Sequence, residues 1–215
     1  LASGDRLNRE EWMILLDSLN DDEREYLHSK AAATVVQHYG NGVFVRALIE
    51  ISSYCKNNCN YCGIRASNTK AQRYRLTKEE ILECCKEGAE LGFNTFVMQG
   101  GEDPKQNDEW VTDVVETIRA TYPDKAITLS VGERSAEAYK AFKDAGADRF
   151  LLRHETRNDE HYAYLHPANM SSENRRRCLF TLKELGYQTG SGMMIGSPGQ
   201  TVEHLYEDIK FLEEL

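Results

Sequence analysis

Short apolar or β-branched runs alternate with amphipathic stretches along most of the chain. The runs cover residues 43–52, 94–99, 126–131, 149–154 and 188–195. Between and after them, apolar residues recur with helical spacing near residues 78–91, 109–120, 135–145, 172–185 and 201–214. Short runs bounded by turn residues predict strands, and the helical spacing predicts amphipathic helices. The pattern therefore predicts five successive strand–helix units.

Sequence signals for helix ends agree with these boundaries. A capping box, with Thr77 and Glu80 three residues apart, opens the helix near residue 78, and glycine follows several helices in "LGF", "AGA" and "LGY". Two further helices are predicted before the first strand, over residues 8–19 and 21–39. The first of them starts at Asn8, with Glu11 three residues later.

The repeat of roughly 35 residues per unit is typical of a β/α barrel, which usually closes with eight strands. We therefore expect an α/β fold that comprises the first five βα units of a TIM-type barrel, with the C-terminal part of the barrel absent. The predicted domains are an N-terminal helical extension, residues 1–42, and the barrel, residues 43–215. A flavodoxin-like open sheet of five parallel strands is the alternative.

The polar residues of the strands favour the barrel. A parallel sheet that is covered by helices on both sides should be apolar on both faces. Here one face carries polar residues on four strands: Arg46, Glu50 and Ser52, then Gln99, then Thr128 and Ser130, then Arg149, Arg153 and Glu155. This pattern predicts a barrel interior that holds a polar ligand. The alternative is that these residues form buried pairs of their own, such as Arg46 with Glu50.

Composition excludes some classes of partner. The 26 basic and 35 acidic residues give a net charge of −9, which disfavours binding to nucleic acid or to an anionic membrane. No apolar segment approaches the roughly 20 residues that cross a bilayer, and the first ten residues lack a signal-peptide pattern. We expect a cytoplasmic protein. The first residue is not Met, so we also expect a trimmed or incomplete chain.

Three of the six cysteines, Cys55, Cys59 and Cys62, lie within eight residues directly after the first predicted strand. Sites of β/α barrels are built at this edge of the sheet. A structural zinc site needs a fourth ligand, which the adjacent Cys84 and Cys85 on one helix, or Cys178 on another, do not easily supply. A [4Fe–4S] cluster on three thiolates leaves one iron open to another ligand. Zinc remains the alternative.

The spacing C-x3-C-x2-C, with an aromatic residue before the last cysteine, resembles the radical S-adenosylmethionine (SAM) superfamily. The resemblance implies that the open iron binds the amino and carboxylate groups of SAM, and that electron transfer from the cluster yields a 5′-deoxyadenosyl radical. Such chemistry needs a low-potential cluster in a dry cavity. In this superfamily the aromatic residue, here Tyr61, lies beside the adenine.

The resemblance also implies a SAM pocket at the ends of the strands. "MQGGED" resembles the element that binds the SAM amino group, and its glycines allow close approach of the backbone. "HET" offers Glu155 as an acceptor for a ribose or amino group. Arg175, in "ENRRRC", is expected to bind the SAM carboxylate, with Arg176 and Arg177 solvated. The complete predicted pocket is Tyr61, Gln99, Gly100, Gly101, Glu102, Ser130, Glu155, Arg175, Met194 and Ile195, the last two as an apolar surface for adenine.

The motifs "CGIRASN", "RYRLT", "GGEDP", "LSVGE", "LLRHET" and "ENRRRCLFTLKELGY" resemble the HydE family of [FeFe]-hydrogenase maturases over residues 5–215. Biotin synthase and methylornithine synthase share the architecture, but "CG" after the triplet and "RHET" favour HydE. The resemblance implies a small sulfur- or iron-containing substrate, an electron donor and maturation partner proteins. A scaffold that carries a cluster without turnover is the alternative from another functional class.

Overall fold

The structure is a computed structural model that describes residues 6–215. It contains five strands: β1 (Ala47–Ser52), β2 (Thr95–Gly100), β3 (Ala126–Ser130), β4 (Arg149–Leu151) and β5 (Gln188–Gly190). Its helices are α1 (Arg9–Asp17), α2 (Asp21–Tyr39), α3 (Lys78–Glu90), α4 (Asp108–Thr121), α5 (Ala136–Asp144), α6 (Asp159–Leu165), α7 (Ser172–Glu184) and α8 (Val202–Glu214). From β1 onward each strand is followed by a helix, as predicted, except that two helices, α6 and α7, lie between β4 and β5.

All five strands are parallel, and each pairs with the next one in the sequence, in the order β1-β2-β3-β4-β5. A flavodoxin-like sheet has the order 2-1-3-4-5, because its chain reverses direction after the first unit. The observed order is that of a β/α barrel, so the predicted fold class is confirmed and the open-sheet alternative is wrong.

One face of the sheet forms the hydrophobic core with the helices. Its side chains alternate along the strands and are at most 4% exposed: Ile49, Ile51, Phe96, Met98, Ile127, Leu129, Phe150 and Leu152. The helices contribute Ile81, Val114, Ile118, Phe142 and Leu179 to the same cluster. At about 25 cal/mol per Å² of buried apolar surface, this face is the main source of stability.

The opposite face carries the predicted polar residues. Glu50 pairs with Gln99, and Gln99 pairs with Ser130, so these side chains form a row across β1, β2 and β3. The alternative of a buried Arg46–Glu50 pair is wrong, because both residues are exposed and Arg46 precedes β1.

Helix ends follow the predicted caps. The side-chain oxygens of Asn8 and Thr77 accept hydrogen bonds from the backbone N–H of Glu11 and Glu80, and the backbone N–H of each cap donates in return to the glutamate carboxylate. Helix α1 contacts α8, where Arg9 forms an ion pair with Glu203. Helix α2 has no buried residue. The division into an extension and a barrel stays a prediction, and the first five residues of that extension lie outside the described part.

Some predicted boundaries were wrong. The strands predicted over 43–52, 149–154 and 188–195 are shorter, because pairing begins only at Ala47 in β1 and regular pairing of β4 with β5 ends at Leu151 and Gly190. Helix α6 was not predicted, since seven residues are too short for a clear period. Within residues 6–215, no helix combines the length and the apolar character that spanning a bilayer requires.

Candidate functional site

The three clustered cysteines lie in the long loop between β1 and α3, at the carboxyl edge of the sheet. Their thiols are free and partly exposed. Burial is the main reason that the pKa of Cys59 is raised to about 11; Cys55 and Cys62 act in the same direction and a hydrogen bond with Tyr61 opposes them, so the three thiols lie within electrostatic reach of one another. Binding to iron would therefore release protons.

Arg73 fixes the shape of this loop. Its Nη1 donates to the carbonyl oxygens of Ser53 and Ile64, and its Nη2 donates to those of Arg65 and Asn68, the last three at 2.8, 2.7 and 3.2 Å. A planar guanidinium can serve several acceptors at once, unlike an ammonium group. The segment with the cysteines is thus folded around one side chain.

A second network joins the cysteine loop to the segment after β2. Asp103 is 1% exposed and accepts two hydrogen bonds from Arg75 and one, at 2.6 Å, from Ser52 Oγ. Burial tends to raise the pKa of Asp103, but the hydrogen bonds from Arg75 and Ser52 lower it below its usual value. The Arg75 guanidinium also lies 3.6 Å from the ring centre of Tyr54.

The "GGE" segment lies directly against the first cysteine. A β-carbon at Gly101 would lie 2.7 Å from Cys55 Cβ and closer still to the Tyr54 carbonyl oxygen, so only glycine fits. Glu102 accepts a hydrogen bond from Lys56 N through its carbonyl, at 3.0 Å. Its carboxylate pairs with Lys56 Nζ and accepts from Glu133 N. A role for this segment in SAM binding stays a prediction. Because the Glu102 carboxylate already has partners, the backbone groups of Gly100 and Gly101 are the ones left to bind SAM.

Glu155 follows β4 in a strained conformation. With φ at 66°, it is the one non-glycine residue of the described chain with positive φ. Its side chain is buried and contacts Arg153 Nη2 at 2.9 Å. Burial raises the pKa of this carboxyl, and Arg153 and Arg175 partly offset the effect. Strain of this kind costs roughly 1–3 kcal/mol and concentrates at functional sites.

Arg175 projects from α7 toward the same region and is 8% exposed. Its Nε donates to Glu133 Oε1 at 2.6 Å, and its Nη1 donates to the Arg153 carbonyl at 3.2 Å. Burial tends to lower the pKa of Arg175, but Tyr162 and Glu133 raise it, so the guanidinium stays charged. Arg176 pairs with Asp159, whereas Arg177 is exposed.

Tyr61 is held by the end of α6. Its hydroxyl lies 3.0 Å from His166 Nε2, and His166 Nδ1 lies 2.9 Å from the Tyr162 carbonyl oxygen. Because a carbonyl only accepts, the Nδ1 carries the proton and Nε2 accepts from Tyr61. Burial lowers the pKa of His166 to about 4, which keeps this neutral form at physiological pH. Asn60 adds two bonds to the carbonyls of Leu165 and Tyr164.

The structure brings most of the predicted residues together. Burial raises the pKa of Tyr61, and the charges of Glu155 and Cys59 raise it further, so these groups are neighbours. Gln99 and Ser130 pair across β2 and β3 on the interior face. Met194 donates its N–H to the Glu155 carbonyl at 2.8 Å. Ile195 is 78% exposed in the loop after β5, so the fifth strand does not carry it as predicted.

The chemistry of the three thiols suits an iron–sulfur cluster, because thiolates are soft ligands that bind iron. Within the described residues, no three cysteine, histidine or carboxylate side chains converge on a point that could hold one metal ion. Zinc requires four ligands around one atom, whereas a [4Fe–4S] cluster binds its thiolates at separate irons. The Asn57 side chain, 5% exposed between Cys55 and Cys59, leaves Oδ1 without a partner at this loop.

Sequence reasoning did not assign roles to four residues that shape the site, namely Arg73, Asp103, Glu133 and His166. The first three lie in motifs that carry the family resemblance, "RYRLT", "GGEDP" and "LSVGE", so the resemblance was the available signal. His166 follows the unpredicted helix α6 and gave no signal.

Comparisons with known proteins identify the family of the chain. The profile of the Radical SAM superfamily matches residues 49–212. HydE of Thermotoga maritima, an [FeFe] hydrogenase maturase subunit, is 43% identical over 98% of this chain and 61% of its own length. The crystal structure of methylornithine synthase (PylB) superposes with a TM-score of 0.91 at 28% identity, over 99% of this chain and 62% of that one.

The structure of HydG, a maturase of the [FeFe]-hydrogenase, gives a TM-score of 0.80 at 28% identity, over 97% of this chain and 48% of that one. The chain thus spans about three fifths or less of the length of these relatives. The predicted resemblance is confirmed. The chain belongs to the radical SAM superfamily.

Proposed function

We propose that this chain forms the cofactor-binding part of a radical SAM enzyme, with a [4Fe–4S] cluster on Cys55, Cys59 and Cys62. One observation carries the proposal: the three thiols occupy the carboxyl edge of the sheet, in a loop that Gly101 contacts directly. When bound, the cluster and SAM supply a 5′-deoxyadenosyl radical. Arg73 and the Arg75–Asp103 pair hold the loop in place for the cluster.

The remaining residues would bind SAM. The close packing at Gly100 and Gly101 leaves their backbone groups at the edge of the site, where they can hydrogen-bond to the amino acid part of SAM. Arg175 supplies a permanent positive charge for the carboxylate. Glu155 supplies an acceptor for a ribose hydroxyl or the amino group. The ring of Tyr61, fixed by His166, and the side chain of Met194 offer surfaces for the adenine.

The proposed process is maturation of the [FeFe]-hydrogenase active site. It is supported by the 43% identity to HydE over almost the whole chain and by the likeness to HydG. The substrate would be a small sulfur- or iron-containing precursor, and the partners would be an electron donor and other maturation proteins. The row of Glu50, Gln99 and Ser130 gives the barrel interior polar groups that could face such a substrate.

Anaerobic reconstitution tests the chemistry. Protein loaded with iron and sulfide and reduced with dithionite should convert SAM to 5′-deoxyadenosine, and a variant with all three cysteines replaced by alanine should neither bind the cluster nor cleave SAM. Cluster loading that persists in the triple variant would contradict the assignment. Cluster binding without SAM cleavage would favour a scaffold, and zinc without iron or sulfide would favour a zinc-stabilised module.

A second candidate is an activity like that of methylornithine synthase, because that protein's structure superposes with a TM-score of 0.91. Co-expression separates the two. The native full-length protein should restore hydrogenase activity to a strain that lacks HydE but retains the other maturases. Formation of methylornithine without restored hydrogenase would favour the second candidate.

A further inference from the structure

The backbone at Glu155 is held on both sides by the loop after β5. Glu155 N donates to the Gly192 carbonyl at 3.1 Å, and the Glu155 carbonyl accepts from Met194 N at 2.8 Å. A glutamate with φ at 66° returns to an ordinary conformation unless its surroundings prevent it. Two backbone bonds fix the position of the residue, but the directions of the chain before and after it also need support.

Asp208 on α8 supplies that support from the opposite side of the sheet. It is completely buried, and its Oδ1 accepts from Arg157 N, two residues after Glu155. The same Oδ1 lies 3.3 Å from Nε2 of His154, the residue before Glu155. This contact falls short of hydrogen-bond geometry, since His154 Nε2 and Asp208 Oδ2 have no hydrogen-bond partner in the described chain. One carboxylate therefore contacts the chain on both sides of the strained residue.

His154 extends this contact to Ser191, the residue directly after β5. Its Nδ1 lies 2.9 Å from Ser191 Oγ, which in turn donates to the Leu152 carbonyl at 3.2 Å. The imidazole is 1% exposed and packs edge-on against Phe211 of α8, with ring centres 4.9 Å apart. Ser191, His154 and Asp208 thus form a series that joins the segments after β4 and β5 to α8, with Ser191 half-buried and the other two side chains buried.

We infer that Asp208 is a positioning residue for the SAM site, and that it acts through His154 and the Arg157 N–H to hold the Glu155 carboxylate toward the barrel interior. The inference rests on the proposed function of Glu155. Asp208 itself cannot contact a ligand in the barrel interior, because it is 0% exposed and lies on the side of the sheet that the helices cover. Its influence on SAM must therefore pass through the turn at residues 154–157.

A double-mutant cycle tests the inference on the reconstituted full-length protein. The dissociation constant of SAM would be measured by equilibrium dialysis for Asp208→Ala, Glu155→Gln and the double variant, with iron content and melting temperature recorded for each. We expect each single variant to weaken SAM binding about tenfold with unchanged iron content, because Glu155→Gln removes the charge of the acceptor and Asp208→Ala releases the backbone that orients it. The double variant should bind no more weakly than Glu155→Gln alone.

The control is Glu207→Gln, which removes the neighbouring carboxylate on α8 that accepts from Asn158 Nδ2 at 3.2 Å. It should leave SAM affinity unchanged. Should Asp208→Ala fail to fold, Asp208→Asn replaces it; its amide oxygen can keep the bond from Arg157 N, so we expect a smaller loss of SAM affinity than for Glu155→Gln, and unchanged affinity would count against the inference. Additive losses in the double variant, or a lower melting temperature with unaltered SAM affinity, would overturn the inference. An unaffected Glu155→Gln would instead overturn the assigned role of Glu155.

Discussion

Arg175 and Glu133 form a nearly buried ion pair in which Arg175 Nε donates to Glu133 Oε1 at 2.6 Å. The pair joins α7 to the loop after β3 at the edge of the proposed SAM pocket. Within the described residues, Nη2 of Arg175 makes no hydrogen bond to protein, so the guanidinium retains a donor for a ligand while Glu133 fixes its plane.

Arg175→Ala should therefore weaken SAM binding about tenfold to a hundredfold, since hydrogen bonds to charged groups are worth roughly 1.5–3 kcal/mol. Arg177→Ala, on the exposed side of the same helix, should leave SAM affinity unchanged.

Glu133→Gln should lower the free energy of unfolding by about 3 kcal/mol, because it leaves the buried Arg175 guanidinium without its partner. Calorimetric SAM binding and chemical denaturation measure the two effects, and equal SAM affinity of both arginine variants would contradict the role of Arg175.

Gly101→Ala should disturb the cysteine loop. The new β-carbon would overlap the Tyr54 carbonyl and lie 2.7 Å from Cys55 Cβ, so the backbone on one side must move. We expect less iron and sulfide per chain after reconstitution, as measured by colorimetric assay and visible absorbance. The matched control is Gly63→Ala, next to Cys62, where a β-carbon meets nothing within 4 Å. Normal loading of Gly101→Ala would show that the two segments move independently.

His166 predicts a pH-dependent stability. Its pKa in the folded protein, about 4, lies below the usual value of roughly 6.5, so the folded protein binds fewer protons in between. The stability that neutral His166 contributes is fully present above the usual pKa, and it is lost as pH falls through the folded-state pKa of about 4. His166→Phe should flatten the dependence and should cost about 1–3 kcal/mol, because Tyr61 and the Tyr162 carbonyl lose a partner. Denaturation between about pH 8 and about pH 5 measures it, with exposed His28→Phe as control.

Glu155 predicts a conflict between stability and binding. Burial raises the pKa of the Glu155 carboxyl, so the folded protein favours its protonated form. The stabilisation from this form is present below the usual pKa of glutamate and is lost as pH rises through the raised pKa. Glu155→Gln should therefore raise the melting temperature at neutral pH even though it weakens SAM binding, and the gain should shrink in acid. Exposed Glu160→Gln serves as the comparison in the same thermal scans. A lower melting temperature at neutral pH would show that the ionised carboxylate stabilises the fold.

Local chemistry made much of the fold predictable. The capping boxes at Asn8 and Thr77 and the alternation around Ile49 and Ile51 act over a few residues, and the structure reproduces them. Strand ends were less predictable because they depend on the partner strand. Residues 43–46 have strand-forming side chains but precede the first pairing, at Ala47 with Phe96.

The site was predictable only where its chemistry is local in sequence. The cysteine spacing and the glycine pair are such features. The role of Arg73 could not be predicted in this way, since an arginine in a polar loop is usually solvated. The four carbonyl oxygens that surround its guanidinium come together only in the folded loop. Likewise, the pairing of Arg175 with Glu133 spans 42 positions and depends on how the packing of α7 against α5 and β5 brings it to the loop after β3.

The way Arg73 closes the cysteine loop has a consequence for engineering. Ser53 donates through Oγ to the Gln72 carbonyl and through N to the Tyr74 carbonyl, so both ends of the segment meet beside the guanidinium. A loop whose ends lie close together and whose interior is held by one of its own side chains is a compact unit that can be grafted onto another protein. Residues 53–74 should thus tolerate transplantation to the edge of another parallel sheet, provided that a glycine stands where Gly101 does here and that the new host supplies partners for Asn60 and Tyr61, which bond to the end of α6.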